Sequence, residues 1–183
     1  VDILNADDPT IPWTMFDDNL VQEVLKEFDL PHQLGRYLSE QGVAEITELV
    51  EVGLGLHPHT DTLVANMNKT ILGLARMGHV ILVGRGSHLL TRKIPGGMHV
   101  RLVGSRESRV QHFSRQYDID TTHATERVAA LDSGRCAYVR RHFRSDVTDP
   151  MAYDLVVNMT HQSVTDVASM LAARWNAVPS AQS

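Results

Sequence analysis

A continuous apolar segment in the middle of the chain ends directly at a glycine-rich turn. His79–Val83 contains two valines and an isoleucine, and Gly84-Arg85-Gly86-Ser87 follows it. A second apolar run, Met98–Val103, comes after the turn at Pro95-Gly96-Gly97. Largely apolar runs of this length that contain several β-branched residues are typical of strands buried on both faces of a parallel sheet. The pattern therefore predicts two such strands, with a short helix over Ser87–Arg92 between them.

Apolar residues at helical spacing predict the elements on either side. An amphipathic helix is expected over Phe16–Phe28, and residues 33–56 are expected to form short helical pieces. A long helix is expected over His59–Met77, with Thr60 or Asp61 as its N-cap and Gly78 as its stop.

The C-terminal half continues this alternation. Ser105 is the expected N-cap of a helix that ends near Tyr117, and Thr121 or Thr122 is the expected N-cap of one that reaches Phe143. A third buried strand over Asp154–Asn158 and a final helix over Ser163–Trp175 complete the order. The order predicts an α/β fold in which helices cover both faces of a parallel sheet.

Length and composition favour one domain. The 183 residues, of which 43% are hydrophobic, suffice for one sizeable core, expected over residues 1–178 with a disordered tail over 179–183. No apolar run approaches the roughly 20 residues of a membrane span, and the acidic N-terminus lacks the order of a signal peptide. We therefore expect a cytoplasmic protein. Its single cysteine, Cys136, cannot form an internal disulfide and is expected to be a buried or half-buried thiol.

Basic residues are concentrated in the middle of the chain. Residues 1–84 hold 4 basic and 13 acidic side chains, whereas residues 85–144 hold 12 basic and 5 acidic ones. Of the 17 basic residues 14 are arginine, whose planar guanidinium grips phosphate oxygens in pairs. An anionic partner and an ordinary solvated helix face both agree with this distribution.

The Gly84–Ser87 turn is the first candidate site. Ligands of doubly wound sheets sit beyond the carboxyl ends of the strands, which is where this turn falls. Gly84 and Gly86 let the backbone come close to a ligand, Arg85 supplies a forked donor, and Ser87 begins a helix whose N–H groups favour an anion. The pattern predicts a phosphate site, although glycines also end buried strands for plain steric reasons.

The second candidate site is a group of charged residues at the end of the long helix. Arginines beside a loop suit a lid, here residues 132–150, that closes over transferring phosphates. A helix C-terminus attracts cations through its dipole, but that effect explains only one or two of them. The group consists of Asp132, Arg135, Arg140, Arg141 and Arg144.

Other chemistry has less support. His57 and His59 flank Pro58 without a carboxylate or thiol at ligand spacing, so no metal site is expected there. Neither a Gly-x-Ser-x-Gly elbow nor a His-Glu-x-x-His pair is present, so hydrolysis by a serine nucleophile or zinc is not indicated.

Together these segments resemble the cytidylate kinase-like family, relatives of the bacterial CMP kinases among the P-loop nucleoside monophosphate kinases. The likeness extends over residues 11–175. Ile11–Asp17 resembles the family's second strand and the aspartate that opens its next helix. The segments that resemble its central strand, the following strand and helix, the lid and the last strand are Val80–Gly86, Arg101–Arg109, Asp132–Arg144 and Asp149–Asn158.

The resemblance implies a phosphotransferase that uses ATP and Mg²⁺. It implies that Arg85, with Gly84, Gly86 and Asp132, binds the acceptor, that Asp17 orients it, and that Arg135, Arg140 and Arg141 neutralise the transferred group. Two departures qualify this. Gly86 stands where CMP kinases carry an aspartate that contacts the base, so the acceptor (CMP, dCMP or another) stays open. The family's glycine-rich P-loop is not found before Phe16, so it either lies upstream, which we favour, or has been lost.

A protein of another class is the alternative. A non-catalytic nucleotide-binding or interaction module with a kinase-like fold would account directly for a missing P-loop. Nucleic-acid binding is least favoured, because the flanking acidic segments would repel a long polyanion and no stacking aromatics are interleaved with the arginines.

Overall fold

Helices and strands alternate along the part of the chain that the computed structural model describes, which is residues 1–7, 10–17, 26 and 60–177. The result is a mixed α/β structure with short parallel strand pairs. Its elements are α1 (Asp2–Asp7), β1 (Thr14–Phe16), α2 (Thr60–Met77), β2 (Val80–Leu82), α3 (Ser87–Leu90), β3 (Val100–Val103), α4 (Arg106–Tyr117), α5 (Thr121–Phe143), a 3-10 helix (Pro150–Ala152), β4 (Leu155–Asn158) and α6 (Val164–Asn176).

The strands form two parallel pairs. β1 pairs with β2, in a register that sets Phe16 opposite Leu82. β3 pairs with β4, in a register that sets Val103 opposite Asn158. The α/β class and the parallel direction agree with the sequence, but the expected single sheet is replaced, within the described residues, by two separate two-stranded sheets.

The expected burial of the strands on both faces was wrong. All three residues of β2 are half-buried. In the other pair Leu102 is 56% exposed and Val156 45% exposed. An apolar run indicates that a strand is buried on some face, but it does not encode how many neighbours cover the strand.

Helix caps follow the sequence closely in the C-terminal half. The Ser105 hydroxyl accepts from the Ser108 amide at the start of α4, and the Ser163 hydroxyl accepts from Asp166 at the start of α6. The cap of α5 is Asp120, which accepts from the amides of Thr122 and His123, rather than either threonine. A carboxylate one residue earlier reaches both amides and complements the helix dipole.

The N-terminal predictions are only partly covered. Phe16 belongs to β1, so the helix expected over Phe16–Phe28 does not begin there. The rest of that helix apart from Lys26, the pieces over residues 33–56, the His57 and His59 pair and the tail over 179–183 lie outside the described residues.

The Trp13 ring links the N-terminal segment to α6 and to the residue before β2. It lies 5.1 Å from the Trp175 ring in an edge-on contact and 5.3 Å from the His79 ring. The side chain of Asn5 in α1 accepts a hydrogen bond from the Trp13 amide at 2.6 Å. The strand that follows Trp13 is therefore anchored against α6 and the start of β2.

The core consists of small helical clusters. Met67 and Ile71 of α2 are almost completely buried, and α2 packs on β2 and α3. α4 and α5 form a hairpin around Val110, Ala124 and Val128. Within the described residues no helix is both long enough and apolar enough to cross a membrane.

Cys136 is exposed, which corrects the expected burial of its thiol. Gly134, Tyr138 and Val139 form the buried side of α5 at this level. Cys136 is two residues from Gly134 and from Tyr138 and therefore does not share their face of the helix.

Candidate functional site

The carboxyl ends of β1 and β2 place two of the sequence-predicted segments side by side. The Val83 amide donates to the Phe16 carbonyl at 2.8 Å, one step beyond the last paired residues of the strands. Asp17 follows Phe16 and the glycine turn follows Val83. Asp17 and the turn therefore lie at the same edge of this sheet, where ligands of parallel sheets bind.

The turn itself has an unusual backbone. Gly84, Arg85 and Gly86 have φ angles of 75°, 55° and 67°, so all three are in the left-handed region. Left-handed geometry is free for glycine but uncommon for arginine, and such residues cluster at functional sites. The Ser87 amide donates to the Gly84 carbonyl at 3.0 Å and closes the turn. This amide is therefore engaged within the turn, and the expected anion site at the start of the Ser87 helix stays a prediction.

The Arg85 side chain is only 4% exposed. The sequence predicted a side chain that reaches out to a ligand, and the structure places the guanidinium inside the protein instead. On the other side of the turn, the Phe143 ring lies where a Gly86 side chain would be, with Cδ2 2.8 Å from the position of a Cβ. Only glycine fits at residue 86 in this arrangement.

α3 and the end of α5 pack together and join the two predicted sites. Leu89 of α3 lies in one apolar cluster with Tyr138 and Val139 of α5, together with Phe143 and Val147. The turn and the C-terminal end of α5, which carries the clustered arginines, are therefore neighbours in space. Residues 86 and 143 are far apart in the chain, so only tertiary packing could reveal this contact.

The arginines occupy the last turns of α5 and the residue after it. Arg135, Arg140, Arg141 and Arg144 are all exposed. Arg144 has φ 50° and donates its amide to the Arg140 carbonyl at 3.1 Å, which ends the helix. The first half of the predicted lid is thus a continuation of a long, regular helix.

Asp132 is held by another arginine. Its Oδ1 accepts from Arg109 Nη1 at 2.7 Å, and Arg135 Nη1 lies 3.9 Å from the same oxygen. The hydrogen bond that Arg109 donates to Asp132 raises the pKa of Arg109. The carboxylate predicted to bind substrate therefore ties α4 to α5.

The loop after α5 is fastened to the second sheet. Arg101 Nη1 of β3 donates to the Thr148 carbonyl at 2.9 Å, and the Tyr153 hydroxyl donates to the Val147 carbonyl at 2.9 Å. Within the loop, Asp146 accepts from both the amide and the hydroxyl of Thr148 at 2.8 Å.

Positive charge converges on this loop. Hydrogen bonds from Thr148 lower the pKa of Asp146, and the charges of Arg140 and Arg101 lower it further. Burial raises the pKa of Tyr153, against the opposing charges of Arg101 and Arg135. The charges of Arg101 and Arg140 therefore both act on this loop. The predicted site residues did not include Arg101. An arginine inside an otherwise apolar strand was a signal that could have identified it.

His88, the second residue of α3, is held neutral near pH 7. Its ring stacks on Tyr153 with centroids 4.5 Å apart and planes 19° apart. Burial, followed by the charges of His99 and Arg101, lowers its pKa to about 4. His88 thus adds an uncharged donor or acceptor beside the turn, and no sequence pattern identified it.

A magnesium ion that arrives with a nucleotide would need few ligands from the protein at this edge. Among the described residues, no three His, Cys, Asp or Glu side chains gather into a metal cage. Magnesium in phosphoryl-transfer sites takes most of its ligands from phosphates and water, with only one or two carboxylates from the protein. Asp17 is the carboxylate that the strand ends bring to this edge.

A profile of the cytidylate kinase-like family matches residues 13–161. The chain belongs to the cytidylate kinase-like family. The matched segment includes Asp17, the glycine turn and every arginine of the α5 group. No curated protein matches this cytidylate kinase-like chain.

The fold of this cytidylate kinase-like protein is also found in a solved structure. It is similar to the crystal structure of an uncharacterized protein from Eubacterium ventriosum ATCC 27560, with a TM-score of 0.59. The two chains are 14% identical, and the likeness covers 86% of this chain and 89% of the other. At this identity the similarity concerns the fold alone.

Proposed function

We propose that the protein is a phosphotransferase of the cytidylate kinase type, with a P-loop kinase fold, that moves a phosphoryl group from ATP to a nucleoside monophosphate or a similar small acceptor. The observation that carries the proposal is the contact between the glycine turn and the arginine-bearing end of α5, through Phe143 on Gly86. Family membership supports the same reaction class. We also propose that the protein is cytoplasmic, because ATP and nucleoside monophosphates are both present there.

The reaction is a substitution at phosphorus. An oxygen of the acceptor phosphate forms a bond to the γ-phosphorus of ATP, the bond from that phosphorus to the β,γ-bridging oxygen breaks, and ADP leaves with the electron pair. Negative charge spreads over the oxygens of the transferred group. The protein's task is to position the two nucleotides and to neutralise this charge, with no covalent intermediate on the enzyme.

The roles follow from position and charge. Arg135, Arg140 and Arg141 are exposed on α5, where they can meet the transferred group as it approaches. Arg101 adds a cation from β3, since its charge reaches the same loop as that of Arg140. Asp17, at the strand end, orients the acceptor. Magnesium, bound to the ATP phosphates, supplies further charge neutralisation.

Arg85 has the role of holding the acceptor phosphate from within the turn. The side chain is buried in the protein without acceptor, since Arg85 is only 4% exposed. The same burial means that the side chain has to become accessible before an acceptor can contact it. Acceptor binding is therefore expected to rearrange the surroundings of the turn.

A coupled assay of ATP consumption with CMP, dCMP, UMP and AMP tests the proposal on the full-length protein. Turnover with at least one acceptor is expected. Arg85→Ala is expected to weaken acceptor binding, and unchanged acceptor affinity in a folded Arg85→Ala variant would remove the phosphate role of the turn. Calorimetric binding of an acceptor without turnover on any of the four would replace the enzyme with a non-catalytic nucleotide-binding module.

A further inference from the structure

Three residues outside the proposed site link the glycine turn to the second sheet. Thr91 ends α3, His99 precedes β3 and Asp154 precedes β4. The Thr91 hydroxyl lies 2.9 Å from His99 Nε2, and His99 Nδ1 lies 3.2 Å from Asp154 Oδ2. We call Thr91, His99 and Asp154 the His99 bridge.

The direction of the first hydrogen bond follows from counting hydrogens. The Thr91 hydroxyl lies 2.8 Å from the Ser87 carbonyl, which can only accept, so the single hydroxyl hydrogen is used there. Nε2 of His99 then has to donate to Thr91. Ser87 and Thr91 are each only 9% exposed, so these bonds are shielded from water and gain strength from the low dielectric.

Asp154 fixes the orientation of the imidazole. The oxygen that faces His99 Nδ1 also accepts from the His99 backbone amide at 2.7 Å, and the Asp154 amide donates to the His99 carbonyl at 2.8 Å. The backbone amide of His99 thus donates to this carboxylate, and the Nδ1 side of the ring faces it. The orientation of the ring is set by the pairing of β3 with β4 rather than by α3.

A second contact braces α3 at the neighbouring position. His88 stacks on Tyr153, the residue before Asp154, and the Tyr153 hydroxyl donates to the loop after α5. α3 is therefore linked to the residues before β4 by two routes, directly through His88 to Tyr153, and through Thr91 and His99 to Asp154. Ser87 is the first residue of α3 and directly follows Gly86. A shift of α3 therefore displaces the adjacent residue of the left-handed turn.

We propose that the His99 bridge consists of positioning residues that keep the Gly84–Gly86 turn in its left-handed conformation and thereby set the affinity for the acceptor. The part concerning the acceptor rests on the proposed function. The part concerning the turn does not, since the turn's conformation is measurable in the protein without nucleotide.

Thr91→Val removes the hydroxyl at nearly constant volume, and Thr91→Ser restores it. Thr125→Val is the matched control, because Thr125 also donates to a carbonyl four residues earlier, at 2.7 Å, but forms no hydrogen bond with a histidine among the described residues. The readouts are the NMR amide signals of Gly84 and Gly86 without nucleotide, and the KM for the acceptor with kcat.

Thr91→Val is expected to shift both glycine signals and to raise the acceptor KM about fivefold at nearly constant kcat, as for one buried hydrogen bond. Thr91→Ser and Thr125→Val are expected to keep the wild-type signals. Wild-type glycine signals in Thr91→Val would overturn the proposal. If Thr91→Val does not fold, His99→Gln takes its place, because glutamine keeps a donor toward Thr91 but loosens the contact with Asp154. His99→Gln must then shift the signals of Gly84 and Gly86, or the proposal fails. If no acceptor is turned over, the proposed function fails while the glycine signals still decide the role of the bridge.

Discussion

The Phe143 ring occupies the space that a side chain on Gly86 would need. Its Cδ2 lies 2.8 Å from the position of a Cβ on residue 86, and Gly86 also has φ 67°. Since Phe143 is the last residue of α5, this contact fixes the distance between the glycine turn and the arginines. Both the stability of the fold and the geometry of the proposed site depend on it.

Gly86→Ala is therefore expected to destabilise the protein strongly. Left-handed strain and a clash in a packed region together cost about 3 kcal/mol. Gly96→Ala is the matched control, because Gly96 has φ 77° with nothing within 4 Å, so it carries only the strain of about 1 kcal/mol. Denaturant unfolding measures both, and equal losses would show that Phe143 does not restrict residue 86.

Arg140→Ala is expected to lower kcat with little effect on folding. Removal of one charged group that stabilises the transition state costs on the order of 10²-fold in kcat. The side chain is exposed, so the free energy of unfolding is expected to change by no more than about 0.5 kcal/mol. Arg127→Ala, also exposed on α5 but near its start, should leave kcat unchanged. Equal kcat in the two variants would remove Arg140 from the site.

Asp132 offers a test of whether its carboxylate meets substrate or only Arg109. The two side chains are 40% and 38% exposed, so their ion pair is expected to contribute less than about 1 kcal/mol to folding. If Asp132 also binds the acceptor, Asp132→Asn raises the acceptor KM more than Arg109→Gln does. Equal KM values in the two variants would limit Asp132 to tying α4 and α5 together.

The low pKa of His88 predicts a loss of stability in mild acid. Its folded pKa of about 4 lies below the ordinary 6.5, so between these pH values the unfolded chain binds a proton that the folded chain does not. His88 contributes its full stability above about pH 6.5, and acidification towards pH 4 removes it. Denaturant unfolding against pH should show a shallower decline for His88→Gln. An unchanged decline would contradict the assigned burial.

Local chemistry explains what the sequence predicted well. Ser105 caps its helix as expected, because a hydroxyl before an amphipathic segment reaches the free amides of the first turn. β2 and the glycine turn were also found from sequence, since a β-branched run and glycines restrict the backbone directly. The predicted helix ends near Tyr117 and at Phe143 also agree with the ends in the structure.

What the sequence did not predict depends on contacts between distant residues. No spacing rule in the sequence relates the residues that meet in three features of the structure. These are the stacking of His88 on Tyr153, the ion pair of Arg109 with Asp132 and the burial of Arg85. The exposed strand faces likewise depend on how many elements cover each pair. A sequence pattern predicts which residues belong to this candidate site. It does not predict which of them already form a hydrogen bond or an ion pair with another residue of the protein.

The most direct test of the central claim is ³¹P NMR of the full-length protein with ATP, Mg²⁺ and CMP, repeated with dCMP, UMP and AMP. A phosphotransferase produces ADP and a nucleoside diphosphate in equal amounts from at least one acceptor, without release of inorganic phosphate. ADP formed together with inorganic phosphate, or unchanged spectra with all four acceptors, would contradict the assignment.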